Sequence, residues 1–112
     1  MAGFYQWETD NFEIILEDDD GNPVPGVLDD VKEVVVTIKQ GDIEEIWFTD
    51  DLGLDTANSV INLPLSQTQT GRFEGDKTAK IQVNILYNDS ERDVTAKGKI
   101  DVYDNDYKKE MS

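Results

Sequence analysis

Hydrophobic and polar positions alternate along the chain in short runs, and turn-forming residues separate these runs. The clearest run covers residues 32–40 (KEVVVTIKQ), where Val34, Val36 and Ile38 face one way and Lys39 faces the other. β-Branched side chains fill this run, and their stiff χ1 angles favour a pleated strand. The same alternation predicts five more strands. They cover residues 12–17, 43–49, 59–65, 79–87 and 94–102.

The segments between these strands are rich in turn formers. Residues 18–30 hold clustered aspartates with glycines and prolines, so we expect an irregular connection there. Ser66 is a suitable N-cap, and Gly71 limits the helical turn that it predicts near residues 66–71. Residues 1–10 predict either a short first strand or a tail that packs against the sheet.

Five to seven short strands with almost no helix predict an all-β protein, an antiparallel β-sandwich that takes in residues 1–112 as one domain. The paired cysteines around a tryptophan that mark immunoglobulin domains are absent, so "immunoglobulin-like" describes the expected architecture only. A barrel of the OB type is the alternative, although the basic, aromatic binding face of such barrels is missing from the pattern. The chain ends, residues 1–5 and 105–112, are expected to be flexible.

One predicted strand, residues 43–49, is apolar on both faces. Ile46, Trp47 and Phe48 are consecutive, so this strand is expected to cross the middle of a sheet or to contact a partner. Aromatic side chains of this kind are usually core or interface residues, and a carbohydrate-binding platform is the alternative. The sequence therefore predicts six interface residues, each of them aromatic or acidic. They are Trp7, Trp47, Phe48, Glu44, Asp50 and Asp51.

The composition leaves little room for catalysis. The 112 residues include no cysteine and no histidine, which excludes thiol nucleophiles, Ser-His-Asp sites, thiolate or imidazole metal ligands and disulfides. The carboxylate pairs Glu44-Glu45 and Asp50-Asp51 could in principle serve as general acid and base. Adjacent residues on a strand face opposite ways, so neither pair converges on one site unless a loop bends it. We therefore expect no catalytic residues and no cofactor.

Clustered aspartates raise the question of calcium. Residues 18–20 are three aspartates that precede Gly21, and hard cations take clustered carboxylate oxygens. The EF-hand spacing fails, because it would place Leu16 at the first ligand position. A solvated turn is therefore favoured over an irregular calcium loop, and the same holds for Asp104 and Asp106. No metal site is predicted.

Charge is distributed unevenly along the chain. In total 25 acidic and 10 basic residues give a formal charge of -15, which argues against binding to nucleic acid or to an anionic membrane. Residues 1–55 hold 16 acids and two bases, whereas residues 56–112 hold nine acids and eight bases. This asymmetry predicts one strongly acidic surface. Such a surface either keeps an exposed β-protein soluble or imitates a DNA phosphate array that occupies the basic groove of a nuclease or repressor.

Three segments carry a family resemblance. They are residues 34–40 (VVVTIKQ), a strand that ends in Lys-Gln; residues 63–73 (LPLSQTQTGRF), a strand that runs into a Leu-Ser-Gln turn closing on a Phe; and residues 79–84 (AKIQVN), the following strand. In this order they resemble short proteins encoded among the tail genes of phages and prophages of Gram-positive bacteria. The likeness covers residues 30–110 and extends to the N-terminal β-sandwich of siphophage baseplate upper proteins. The acidic stretch at residues 16–30 departs from that pattern.

The resemblance implies a non-enzymatic structural or assembly component of a phage tail or baseplate. Its partners would be other tail or baseplate proteins, and an exposed sheet edge would also favour a homo-oligomer. It implies no catalytic residues. The chain has no apolar stretch near 18 residues and no secretory signal pattern, so we expect synthesis in the bacterial cytoplasm, assembly into the virion tail and no contact with a membrane.

Overall fold

Eight β-strands form two sheets in the computed structural model, which describes residues 3–17, 20–22, 24, 26–88 and 93–104. A short α-helix and one turn of 3-10 helix complete the secondary structure of these residues. The strands are β1 (Gly3–Tyr5), β2 (Asp10–Ile15), β3 (Val31–Gln40), β4 (Ile43–Phe48), β5 (Gly53–Asp55), β6 (Val60–Leu65), β7 (Lys77–Tyr87) and β8 (Asp93–Tyr103). The helix α1 is Gln67–Gly71, and the 3-10 turn is Thr49–Asp51.

The two sheets differ in size and in strand pairing. The large sheet has the order β1-β8-β7-β3-β4, with β1 parallel to β8 and every other pair antiparallel. The small sheet has the order β2-β6-β5 and is antiparallel throughout. The predicted all-β class is therefore confirmed, and two separate sheets favour the sandwich over the OB-type barrel. No helix within the described residues is long and apolar enough to cross a membrane.

One hydrophobic core draws on both sheets. In β3 the alternation predicted from the sequence buries Val34, Val36 and Ile38 completely, and β6 contributes Ile61 and Leu63 in the same way. Burying one such side chain stabilises a fold by about 1.5–3 kcal/mol, which is why the period-two pattern decides which face of each strand turns inward. The residues that alternate with them along β3 and β6 face the other way and are exposed or half-buried.

The six predicted strands and the helical turn are confirmed, with ends that differ by about two residues at most. Ser66 caps α1 as expected, because its hydroxyl accepts a hydrogen bond from the backbone N–H of Gln69. The stretch predicted as a plain loop, residues 50–58, holds most of the 3-10 turn and all of β5. The strand over 43–49 lies at the edge of the large sheet rather than in its middle.

Residues 3–5, which belong to the predicted flexible end over residues 1–5, form the strand β1. Phe4 is buried and packs edge-to-face on Phe73 at 5.7 Å between ring centroids. Gly3 lets the strand approach β8 closely, since a Cβ there would lie 2.3 Å from the Asp101 carbonyl oxygen. The other predicted flexible end, residues 105–112, lies outside the described residues, as do residues 1 and 2.

Candidate interaction surface

Large exposed hydrophobic side chains gather on one face of the protein. Six are exposed among the described residues, and five of these point outward from the large sheet. The five are Tyr5, Ile46, Phe48, Leu86 and Tyr103. We call the outward side of β1, β8, β7, β3 and β4 the large-sheet face. The sixth, Ile15, lies on β2 at the edge of the small sheet.

These side chains point outward because their strand neighbours are anchored in the core. Trp47 is buried, so Ile46 and Phe48 on either side of it must face solvent, and they are 42 and 53 % exposed. At the opposite edge of the sheet, the rings of Tyr5 and Tyr103 lie 5.1 Å apart. The large-sheet face therefore has an aliphatic and aromatic patch at β4 and a tyrosine pair at β1 and β8.

The register of the strands also assembles four lysines on this face. Lys39 in β3 lies directly opposite Lys80 in β7, and Lys80 lies directly opposite Lys99 in β8. Lys97 is two residues before Lys99 and so points the same way. All four side chains are exposed. We call Lys39, Lys80, Lys97 and Lys99 the lysine cluster.

The four lysines of the cluster outnumber the acids beside them. Within the described part of the chain, the side chains that form ion pairs are Arg72 with Glu45 and Lys77 with Glu74, and no member of the cluster does so. Two acids lie beside the cluster on the large-sheet face. Glu44 in β4 is directly opposite Lys39, and Asp101 in β8 is two residues after Lys99. Like charges directly opposite each other on a sheet destabilise it, so this arrangement costs folding free energy.

Two of the predicted interface residues lie on the large-sheet face. Glu44 and Phe48 are exposed there on either side of Ile46. Trp47 instead points into the core, where 3 % of it is exposed and its indole Nε1 donates a hydrogen bond to the Pro64 carbonyl at 3.2 Å. Since Pro64 belongs to β6, this bond ties the edge of the large sheet to the small sheet, and the role of Trp47 is structural.

The predicted acidic pair Asp50 and Asp51 lies in the 3-10 turn immediately after β4. Both side chains are exposed. The carboxylate of Asp51 accepts a hydrogen bond from the Phe48 backbone N–H at 3.1 Å, which caps the turn. The pair therefore lies at one end of the patch formed by Ile46 and Phe48, next to the large-sheet face rather than on it.

Trp7 is separated from the other predicted interface residues. It follows β1, at the edge of the large sheet opposite β4. Its backbone adopts a φ of 61°, a conformation that a bulky side chain rarely takes. The half-buried indole packs on Gly71 in α1, where a Cβ would lie 2.4 Å from the ring. Trp7 thus joins α1 to the turn between β1 and β2, and packing holds it there.

The acidic side chains that the structure describes in the first half do not all lie on one surface, contrary to the sequence-based expectation. Glu13 is exposed on the outer side of the small sheet, whereas Glu33 and Glu44 are exposed on the large-sheet face. The carboxylate of Glu45 faces away from Glu44 and pairs with Arg72. Because β2 and β5 belong to the small sheet and β1, β3 and β4 to the large sheet, the described acids of this half are distributed over both sides of the sandwich.

No group of three or more acidic side chains in the described ranges is placed to hold a metal ion. Asp18 and Asp19 of the aspartate run, and Asp106, lie outside those ranges. Elsewhere, Asp55 has a pKa below its usual range, because the side chain and backbone of Asn58 donate hydrogen bonds to its carboxylate. These bonds close the turn between β5 and β6.

Comparison with known proteins informs the fold. No protein-family model matches the chain, and no curated protein matches it. Among solved structures, it is similar to the X-ray structure of the endo-beta-1,4-mannanase from Thermotoga petrophila, with a TM-score of 0.52 and 11% sequence identity. The match covers 94% of this chain and 18% of the mannanase chain, so this chain spans less than a fifth of that protein. At such low identity the likeness shows a shared fold alone.

Sequence patterns identified the strands of this surface but not the surface itself. The alternation already placed Lys39, Lys80, Lys97 and Lys99 on the outward sides of three separate strands. Their proximity depends on strand order and register, which a single sequence does not give. The same is true of Tyr5 and Tyr103, which are 98 positions apart in the chain and in ring contact in the fold.

Proposed function

We propose that the protein is a non-enzymatic structural or assembly component of a phage tail or baseplate, and that it binds neighbouring tail proteins through the large-sheet face. The observation that carries this proposal is the concentration of five of the six exposed large hydrophobic residues on that face. Exposed apolar groups gathered in one area are typical of protein-binding surfaces. The assignment to a phage tail rests on the resemblance of residues 30–110.

The size of the face supports a protein partner. β7 and β8 have 11 residues each, so five strands of this length would span roughly 20 by 36 Å at the usual spacings of a sheet. The shorter strands β1, β3 and β4 reduce this area to roughly 650 Å². Specific interfaces bury about 600–1,000 Å² on each partner. The large-sheet face is thus wide enough for one specific contact.

Two isoleucines allow a matched test. Ile46 on the large-sheet face and Ile15 on the small sheet are 42 and 48 % exposed, and both lie in edge strands. The protein and its Ile46→Ser and Ile15→Ser variants would be used as baits in lysates of bacteria producing the phage, with mass spectrometry of the captured proteins. We expect tail proteins with the native bait and with Ile15→Ser, and their loss with Ile46→Ser.

Other outcomes would contradict the proposal. Capture of a nuclease or repressor without tail proteins would favour the alternative, an acidic inhibitor that imitates DNA. Such a complex would weaken steeply between low and moderate salt. It would also survive the Ile46→Ser substitution, which removes no charge. Equal loss of partners with Ile15→Ser would show that the large-sheet face is not the binding surface.

A further inference from the structure

The lysine cluster has a position that the usual roles of surface lysine do not explain. β1 pairs only with Asp101, Val102 and Tyr103 of β8, so the rest of β8 is an open edge of the sheet. Lysines on such edges protect a sheet from pairing with other chains, which accounts for Lys97 and Lys99. Lys39 and Lys80 lie in β3 and β7, however, which are interior strands of the large sheet. Solubility does not require them either, because the chain already carries 25 acids.

Placing these lysines side by side also costs folding free energy. Neighbouring strands are about 4.8 Å apart, so Lys39, Lys80 and Lys99 lie within about 10 Å of one another. Each opposed pair repels, and no carboxylate of the described residues forms an ion pair with them. Two shallow depressions run along the cluster, one lined by Lys39, Lys80 and Lys99 and the other by Lys80, Lys97 and Lys99.

From this arrangement we infer that the lysine cluster binds an acidic segment of a partner protein, rich in Asp or Glu. Carboxylates complement the four ammonium groups and relieve their mutual repulsion on binding. The apolar patch at Ile46 and Phe48 lies on the same face, which suits a protein better than a nucleic acid. The inference rests on the proposed function for the location of the partner, and it adds the partner's chemistry.

An octaglutamate peptide is the probe, measured by nuclear magnetic resonance titration of the ¹⁵N-labelled protein in about 0.1 M salt. We expect shifts of the amide signals in β3, β7 and β8 around the lysine cluster. The Lys80→Gln/Lys99→Gln variant should bind about five- to thirtyfold more weakly, since each exposed ion pair changes an equilibrium constant several-fold. The matched control is Lys32→Gln/Lys77→Gln, which makes the same change in net charge outside the cluster and should bind like the native protein.

Three results would overturn the inference. Equal binding of octaglutamate by the two double variants would show that the cluster is not the site. Tighter binding of an octathymidylate than of octaglutamate would assign the face to nucleic acid. Self-association that sedimentation detects and that Lys80→Gln/Lys99→Gln abolishes would assign it to a second copy of this chain.

This test can fail separately from that of the proposed function. If tail proteins are captured by the native bait and lost with Ile46→Ser, but are retained by Lys80→Gln/Lys99→Gln, the large-sheet face binds a tail partner without the lysine cluster. The proposed function would then stand and the acidic segment would be excluded. Loss of the tail partner with both variants, and its retention with Lys32→Gln/Lys77→Gln, supports both.

Discussion

Replacing Lys80 with glutamine should leave the protein more stable than the same replacement at Lys32 does. Lys80 is the central member of the lysine cluster, with Lys39 directly opposite on one side and Lys99 directly opposite on the other. The substitution removes both repulsive pairs at once and keeps a long, polar side chain at an exposed strand position. Most surface substitutions are neutral or slightly destabilising, so a gain in stability relative to Lys32→Gln is a specific expectation.

The magnitude follows from the spacing. Two ammonium groups about 6 Å apart in water repel by about 0.7 kcal/mol, and opposed like charges on a sheet cost up to about 1 kcal/mol per pair. The flexible side chains can splay apart, so the two pairs together should cost about 1 kcal/mol. Losing a positive charge from a protein of net charge -15 acts in the opposite direction. Lys32→Gln makes the same change in net charge at an exposed position beside the irregularity in the β3–β7 pairing, and serves as the control.

The assay is urea unfolding in low salt, followed by the fluorescence of the tryptophans, of which Trp47 is buried. We expect the free energy of unfolding of Lys80→Gln to exceed that of Lys32→Gln by about 1 kcal/mol, which corresponds to about 4 °C in melting temperature for a chain of this size. At about 1 M salt the difference should nearly vanish, because exposed charges are then screened. Equal stability of the two variants at low salt would refute the account of the lysine cluster as a repulsive assembly.

Three other predictions concern residues outside the large-sheet face, in or beside α1 and in the turn between β5 and β6. Gly71→Ala should destabilise the fold by about 1–3 kcal/mol, as overpacking does, because the new Cβ would lie 2.4 Å from the Trp7 ring; thermal unfolding measures this, and an unchanged melting temperature would contradict it. Ser66→Ala should cost about 1 kcal/mol through loss of the α1 cap, a loss that Ser66→Asp should largely avoid in the same denaturation assay. The carboxyl of Asp55 should have a pKa below its usual range in a carbon-detected magnetic resonance titration, and this pKa should rise in the Asn58→Ala variant. Because the lowered pKa belongs to the folded state, the stabilisation is present above the unfolded-state pKa and is lost as the pH falls through the folded-state pKa.

Local periodicity was enough to find most of the fold. Each long strand shows its alternation within nine to eleven residues, and burial follows it because one face must enter the core. Val34, Val36 and Ile38 are completely buried as the pattern requires. The cap at Ser66 is equally local, since it depends on residues three positions apart. What such patterns capture is the inward or outward direction of a side chain on its own strand.

Features that depend on neighbours distant in the sequence were not predictable in this way. Residues 46–48 are consecutive apolar residues, so the sequence predicted a strand that is apolar on both faces and lies in the middle of a sheet. In the fold, β4 is an edge strand whose Trp47 enters the core while Ile46 and Phe48 stay exposed. Similarly, β1 is too short to show alternation. Its strand conformation is stabilised by pairing with β8 and by the contact of Phe4 with Phe73.

Strand order also decides where the charged side chains lie. Dividing the sequence into an acidic and a neutral half suggested an acidic face, but β3 from the first half lies between β4 and β7, and it brings Lys39 beside Lys80 from the second half. Acids occur on both sides of the sandwich, so their positions discriminate little between partners. The bases are few and grouped: four of the seven in the described residues are on the large-sheet face.

Net charge and local charge therefore act at different distances. Beyond a Debye length of about 8 Å at physiological salt, an acidic partner is repelled weakly by a protein of charge -15. When the partner is in contact, its carboxylates lie about 4 Å from the ammonium groups of Lys39, Lys80 and Lys99. At that distance the attraction between carboxylate and ammonium outweighs the screened repulsion from distant acids of this protein. This weak long-range repulsion acts on every acidic partner alike, nucleic acid included, so it does not select one of them. Only a partner whose shape brings its carboxylates onto the lysine cluster gains the compensating contacts, so an unfavourable net charge sharpens selectivity for that partner.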